Sequence, residues 1–214
     1  MIRSLRLMPL GGSVTFGSGS SNANGYREGL RRLLVDDGYS VEMVGSRRAG
    51  TMTNNHTEGW RGFRIDQIHD KARRSIPLLL PNVVAINAGS NDCLQGVDIE
   101  FIGGRMDSLL KLVWDASPGS TIVLSTLLAN VDKLTEANVL RANAQYRELA
   151  RRKAGEGRRI VLVDMHTAAG PSLDDLMDGT HPNDLGYHKM ALLWRKGIQE
   201  CASKGLLQEP IPKS

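Results

Sequence analysis

Three short polar islands carry the residue types needed to move an acyl group: Gly11-Gly12-Ser13, Gly89-Ser90-Asn91-Asp92 and Asp178-Gly179-Thr180-His181-Pro182. A serine hydroxyl becomes a nucleophile when an imidazole takes its proton and a carboxylate holds that imidazole in place. Asp178 and His181 stand three residues apart, just before the last predicted helix. The carboxylate can therefore hold one ring N–H while the other nitrogen serves Ser13. Asn91 adds a carboxamide able to donate to a carbonyl oxygen as that oxygen becomes negative. If the islands meet in space, they make a nucleophile, its base and an oxyanion donor.

Each island also has a plainer reading. A serine after two glycines can cap a nearby helix, and an isolated Gly-Gly-Ser favours that role. A phosphate-binding loop fails on detail, because no Gly-Lys-Ser/Thr and no Gly-x-Gly-x-x-Gly opens a helix here. Asn91 can bond its own backbone in a turn, and for it the two readings are evenly matched. For His181 the preceding Asp178 and the helix entrance tip the balance toward chemistry. His166 and His188 read as surface or supporting residues. No H-E-x-x-H or comparable metal spacing is present.

Strand and helix signals alternate along the chain, the pattern of a parallel sheet covered on both faces. Ser4 to Leu10 reads as the first strand and Tyr26 to Asp37 as a helix closed by Gly38. Val41 to Val44 is the second strand. A long polar stretch, Gly45 to Trp60, follows without structure of its own, a length more often functional than filler. A helix around Ile65, Ile68 and Ala72 comes next, and Pro77 and Pro81 bracket a turn before the third strand, Asn82 to Ala88. Met106, Leu109, Leu110, Val113 and Trp114 mark a helix stopped at Pro118-Gly119. Thr121 to Thr126 is the fourth strand, Val139, Ala142, Tyr146 and Leu149 mark a long helix, and Ile160 to Val163 is the fifth strand. Met190, Leu193, Trp194 and Ile198 line the last helix. Right-handed crossovers favour a doubly wound sheet in the flavodoxin-like order, where ligands bind beyond the carboxyl ends of the strands. All three islands fall at that edge.

The 214 residues, 41% hydrophobic, suit one domain over 1–207 with a polar tail from Gln208 to the end. No run reaches the roughly 18 apolar residues of a membrane span, and the N-terminus lacks a signal-peptide core. The formal charge of +4 reads as scattered solvated Lys and Arg, such as Arg27, Arg31 and Arg32, without the interleaved aromatics of a nucleic-acid groove. Cys93 lies at the edge that carries the islands and Cys201 near the far end of the last helix, so two free thiols are expected.

These residues carry a resemblance. Gly11-Gly12-Ser13, Gly62, Gly89-Ser90-Asn91-Asp92 and Asp178-x-x-His181-Pro182 resemble the four blocks of the SGNH (GDSL-type) hydrolase superfamily across nearly the whole chain. Leu7-Met8-Pro9-Leu10-Gly11 and His56-Thr57-Glu58-Gly59-Trp60-Arg61-Gly62 are similar to carbohydrate esterase family 3, the acetyl xylan esterases. The resemblance implies a three-layer α/β/α sandwich on five parallel strands, with Ser13 as nucleophile, His181 as base and Asp178 as its orienting acid. The oxyanion hole it implies joins the N–H groups of Ser13 and Gly62 to the Asn91 side chain. Gly62 is preferred to Gly59 because it lies 29 residues before Asn91, which suits the family spacing. Gly12 stands where the family usually has Asp.

The expected function is removal of acetyl groups from xylan or related sugars, with no metal and no organic cofactor. The expected partner is an acetylated polysaccharide or oligosaccharide, with no nucleic acid and no membrane. An extracellular monomer is expected. Trp60 is a candidate substrate-binding residue, by stacking on sugar, although packing under its loop is at least as good a reading. A lipid esterase or thioesterase of the same superfamily is the nearest rival. Against it, Ser18, Ser20, Ser21, Asn22 and Asn24 surround the serine with polar groups. A carbohydrate-binding module without turnover is the rival of another class.

Overall fold

A computed structural model describes residues 4–212 of the chain. The expected domain, 1–207, and tail, 208–214, include residues 1–3 and 213–214, which lie outside the described residues. Five parallel strands form the main sheet: β1 (Ser4–Gly11), β2 (Ser40–Met43), β5 (Val83–Asn87), β6 (Thr121–Ser125) and β7 (Ile160–Val163). Their spatial order is β2-β1-β5-β6-β7, which is the expected flavodoxin-like order. All five residues of β5 are buried, as a central parallel strand requires.

Alternation along the strands divides two cores. On one face Leu5, Leu7, Val83, Ala85, Val123 and Val161 pack under α2 (Tyr26–Asp36) and α7 (Asp184–Ser203). On the other Met8, Leu10, Val84, Ile86, Ile122 and Leu124 pack under α3 (Ile65–Leu79), α5 (Ile102–Ala116) and α6 (Lys133–Gly155). The result is the expected three-layer sandwich. Among the described residues no helix is long and apolar enough to cross a membrane. Cys93 and Cys201 are free and buried, and burial pushes both thiols up to about 12.

The polar segment departs from expectation, since it holds two short strands. In β4 (His56–Gly59), Glu58 and Gly59 run parallel to Leu10 and Gly11 of β1. In β3 (Arg47–Arg48) the chain runs antiparallel to β4. Strand β1 therefore changes neighbour along its length, pairing with β2 through Leu7 and with β4 from Leu10. Pairings of two residues leave no periodic trace in composition. The proline turn also moves: Pro77 lies inside α3, and the chain leaves that helix at Leu80 (φ +44°), whose N–H bonds Ile76 O at 2.8 Å. Pro77 stands on the exposed side in the last turn, where the carbonyl it leaves without a partner can face water.

Arg27 is not on a solvated face. It is fully buried in α2, and its guanidinium donates to the carbonyls of Phe16, Ala23, Ala49 and Asn55 at 2.8 to 3.2 Å. Burial pulls this arginine below its ordinary value, but four carbonyl dipoles hold the charge. It ties the loop after Ser13 to the segment before β4. Arg27→Met should lower stability by about 3 kcal/mol, because it strands four buried carbonyls. The urea midpoint checks this, and a loss below about 1 kcal/mol would show that the bonds are dispensable.

Candidate active site

Strand β1 delivers Ser13 to the carboxyl edge of the sheet. Only a hydrogen fits on Gly11, since a Cβ there would come within 2.0 Å of Asn87 O and 2.4 Å of Thr15 Oγ1. Ser13 then opens the one-turn helix α1 (Ser13–Phe16). Its N–H has no carbonyl one turn back to donate to, so it is available to a ligand. The Tyr187 hydroxyl of α7 lies 2.5 Å from Ser18 O and 3.2 Å from Val14 O, joining the last helix to the serine loop.

The histidine loop is built by its carboxylate. Asp178 Oδ1 accepts the N–H groups of Thr180 at 3.1 Å and His181 at 2.8 Å, which folds the turn. Its Oδ2 lies 2.7 Å from His181 Nδ1, and His181 Nε2 lies 2.8 Å from Ser13 Oγ. With the carboxylate accepting from Nδ1–H, the lone pair on Nε2 faces the serine hydroxyl, so the tautomer follows from the partners. Desolvation is the largest single influence on Asp178 and raises its carboxyl. The bonds from the His181 ring and from the His181 and Thr180 N–H groups together outweigh it and hold the carboxyl below its ordinary value. Gly179 makes the turn possible: its φ is +82°, and a Cβ would meet Val131 Cγ2 at 2.2 Å.

Asn91 enters from β5 through Gly89 and lies in the short helix α4 (Ser90–Gln95). Its Nδ2 donates to Phe63 O at 3.0 Å, and one of the two amide protons remains for a ligand. The same nitrogen lies 3.5 Å from where a Cβ on Gly12 would stand, so the carboxamide borders the serine turn. Ser13, Phe63, Gly89 and Asn91 line one small recess. Beneath it, buried Asp92 accepts from the Ile65 N–H and from Arg105, each at 3.1 Å, clamping the start of α3 to α4. A Cβ on Gly12 would find ordinary contacts, so the glycine in place of the family Asp leaves room and no gap in the backbone.

Gly62 lies in an exposed turn between Trp60 and Phe63 at φ +77°, with nothing within 4 Å of a would-be Cβ. Gly59 differs: its N–H already bonds Thr57 Oγ1 at 3.1 Å, and the Phe16 backbone packs against it. Half-buried Trp60 stacks on Phe63 with centroids 5.4 Å apart, and its Nε1 donates to Glu58 Oε1 at 3.0 Å. His166 is engaged with Glu136 at 2.8 Å, and His188 is exposed on α7. The structure therefore brings Ser13, His181, Asp178 and Asn91 together. Sequence reasoning missed the supports Arg27, Asp92 and Tyr187, whose partners lie across the fold and leave no local signal.

This geometry allows a proton to pass from a hydroxyl to an imidazole beside amide donors. A multidomain esterase of Ruminococcus flavefaciens is 24% identical over 222 residues, covering 91% of this chain, and the chain spans 28% of that relative's length. A family 3 carbohydrate esterase of Clostridium thermocellum superposes with a TM-score of 0.83 at 26% identity, covering 94% of this chain and 99% of that one. The fold is shared also with a carbohydrate esterase family 3 protein from Talaromyces cellulolyticus, with a TM-score of 0.78 at 21% identity, covering 95% of this chain and 99% of that one. Residues 10–189, which include Ser13, Asn91, Asp178 and His181, match the GDSL-like Lipase/Acylhydrolase family. On that match the chain belongs to the GDSL-like lipase/acylhydrolase family.

Proposed function

We propose that this chain is a serine esterase that removes acetyl groups from acetylated xylan or related sugars. The observation that carries the reading is the line from Ser13 Oγ to His181 Nε2, 2.8 Å, and on from Nδ1 to Asp178, 2.7 Å. Ser13 Oγ attacks the acetyl carbon while its proton passes to His181 Nε2. The bond from that carbon to the sugar oxygen breaks, and the oxygen leaves with the proton held by His181. Water then attacks the acetyl-Ser13 ester, His181 takes its proton and returns it to Ser13 Oγ, and acetate departs. The negative oxygen of each tetrahedral intermediate is met by the Ser13 N–H, the Gly62 N–H and Asn91 Nδ2. The protein acts as an extracellular monomer in this proposal.

Asn91→Ala removes one oxyanion donor and should lower kcat by about 10²–10³-fold with little change in KM. A change below threefold would take Asn91 out of the site. The acyl preference is tested with aryl esters of increasing chain length. The likeness to family 3 carbohydrate esterases and the polar surroundings of Ser13 support a peak at acetyl. A peak at eight carbons or beyond would replace the sugar esterase with a lipid esterase.

A further inference from the structure

Next to the Ser13 recess, across the Trp60–Phe63 ring pair, lies an open groove of about 410 Å³ whose lining includes Trp60, Lys71, Arg74, Leu78 and Leu79. Cations and rings interleave around its Trp60 wall. Arg47 lies between Phe16 and Trp60, 5.3 and 4.5 Å from their centroids. Lys71 lies over Trp60 and Phe63 at 4.5 and 5.8 Å. Arg61 covers Phe16 at 5.8 Å. Among the described residues, none of Arg47, Arg61, Lys71 and Arg74 has a carboxylate at salt-bridge distance. Of the acids around them, Glu58 is fully buried with its oxygens taken by the Ser46 N–H, the Ser46 hydroxyl and Trp60 Nε1, Asp66 pairs with Arg64, and exposed Asp70, one turn before Arg74, lies 3.9 Å from His69 Nδ1.

Soluble surfaces normally intersperse signs of charge, because like charges raise one another's energy. Cations without a carboxylate partner, with Arg47 and Lys71 held on the Trp60 ring and Arg47 also donating to Gly59 O at 3.3 Å, are suited to an anion, and guanidinium and ammonium groups fit a carboxylate. Trp60 carries cations over its ring and offers no open platform for stacked bases, which disfavours nucleic acid. We propose that this groove is a subsite for a carboxylate-bearing sugar, a uronic acid unit of the acetylated glycan, held by Lys71, Arg74 and Arg47 while Ser13 acts on a neighbouring acetyl group. The proposal rests on the acetyl-glycan reading for its substrate, and it assigns Trp60 to holding cations in place of stacking on sugar.

The test is calorimetric binding to Ser13→Ala protein of a xylo-oligosaccharide with one glucuronic acid branch, the same oligosaccharide unbranched, and a single-stranded oligonucleotide. The branched ligand should bind about 10-fold tighter than the unbranched one, and the preference should shrink with added salt. It should vanish in Lys71→Gln/Arg74→Gln protein of unchanged melting temperature. Arg74→Gln alone, at an exposed position, should reduce it roughly threefold, which keeps the test sound if the double variant folds poorly. Equal affinity for both oligosaccharides, no binding of the branched one, a preference surviving the substitutions, or tighter binding of the oligonucleotide would overturn the proposal. Acetate release by the wild type is read separately. Release without an acid preference removes the subsite and leaves the esterase, whereas acid-selective binding without release removes the esterase and leaves the groove.

Discussion

Ser13→Ala should lower kcat/KM for acetyl esters by about 10⁴–10⁶-fold while leaving the melting temperature within a degree or two of the parent. Both parts follow from the position of the side chain. The Ser13 hydroxyl meets His181 Nε2 at 2.8 Å, and the residue belongs to neither apolar core. Alanine at the start of α1 costs no helix propensity, and the turn is held by the packing of Gly11 against Asn87. Loss of activity with an intact fold therefore isolates the nucleophile. Turnover within 10-fold of the wild type by a folded variant would remove Ser13 from that role, and a collapsed melting transition would show that the hydroxyl is structural.

His181→Ala should cost nearly as much. Without the imidazole the hydroxyl has no proton acceptor, and the leaving oxygen has no donor. The loop itself should survive, because its backbone is anchored apart from the ring: the Met177 N–H bonds His181 O at 2.7 Å, the Asn183 N–H bonds Asp175 O at 2.7 Å and the Val131 N–H bonds Gly179 O at 3.2 Å. Since the two side chains act on one proton, Ser13→Ala/His181→Ala should be scarcely slower than either single variant. Effects that multiply in the double variant would mean that the groups act independently. Asp178, held below its ordinary value of 3.8 by its hydrogen bonds, stays ionised where an imidazole titrates. Its bonds to the loop are thus present above that value and lost as the pH falls through the lowered one. Activity lost above that range in acid is due to a group other than Asp178.

The parts of this fold written in local periodicity were legible in the sequence. Val83–Asn87 is an unbroken buried strand and is the third strand as expected, and Met190, Trp194 and Ile198 face the core from the last helix as their spacing requires. The Asp178–His181 turn was legible because the two side chains bond within four residues, and a carboxylate binding the N–H groups beyond it is local chemistry. What escaped depends on distant partners. β3 and β4 exist because Gly59 can pair with Gly11, a match of two residues across the fold. Arg27 looks like any helix-surface arginine until Phe16, Ala23, Ala49 and Asn55 turn their carbonyls toward it. Pro77 reads with Pro81 as one side of a turn, yet at an exposed position in a last turn the lost bond costs too little to end the helix there.

Two of the proposed oxyanion donors show the same division. Asn91 is placed by a glycine that must be glycine: Gly89 has φ +117°, and a Cβ would lie 2.4 Å from the Tyr146 hydroxyl. Asp92 then fixes α4 to the start of α3 through the Ile65 N–H, and the short path from Trp60 to Ile65 carries Gly62 and the Phe63 carbonyl that holds Asn91. The carboxamide and the glycine turn are thus two ends of one braced unit, so disturbance at Asp92 should reach the site without touching it.

The central claim is that His181 activates Ser13. Peptide mapping after treatment with a fluorophosphonate tests it most directly, because an unactivated serine reacts poorly with this reagent. The wild type should give a single adduct, on the peptide carrying Ser13, and folded His181→Ala protein should give none. An unlabelled wild type, an adduct on another serine, or equal labelling of Ser13 in the absence of the imidazole would contradict it.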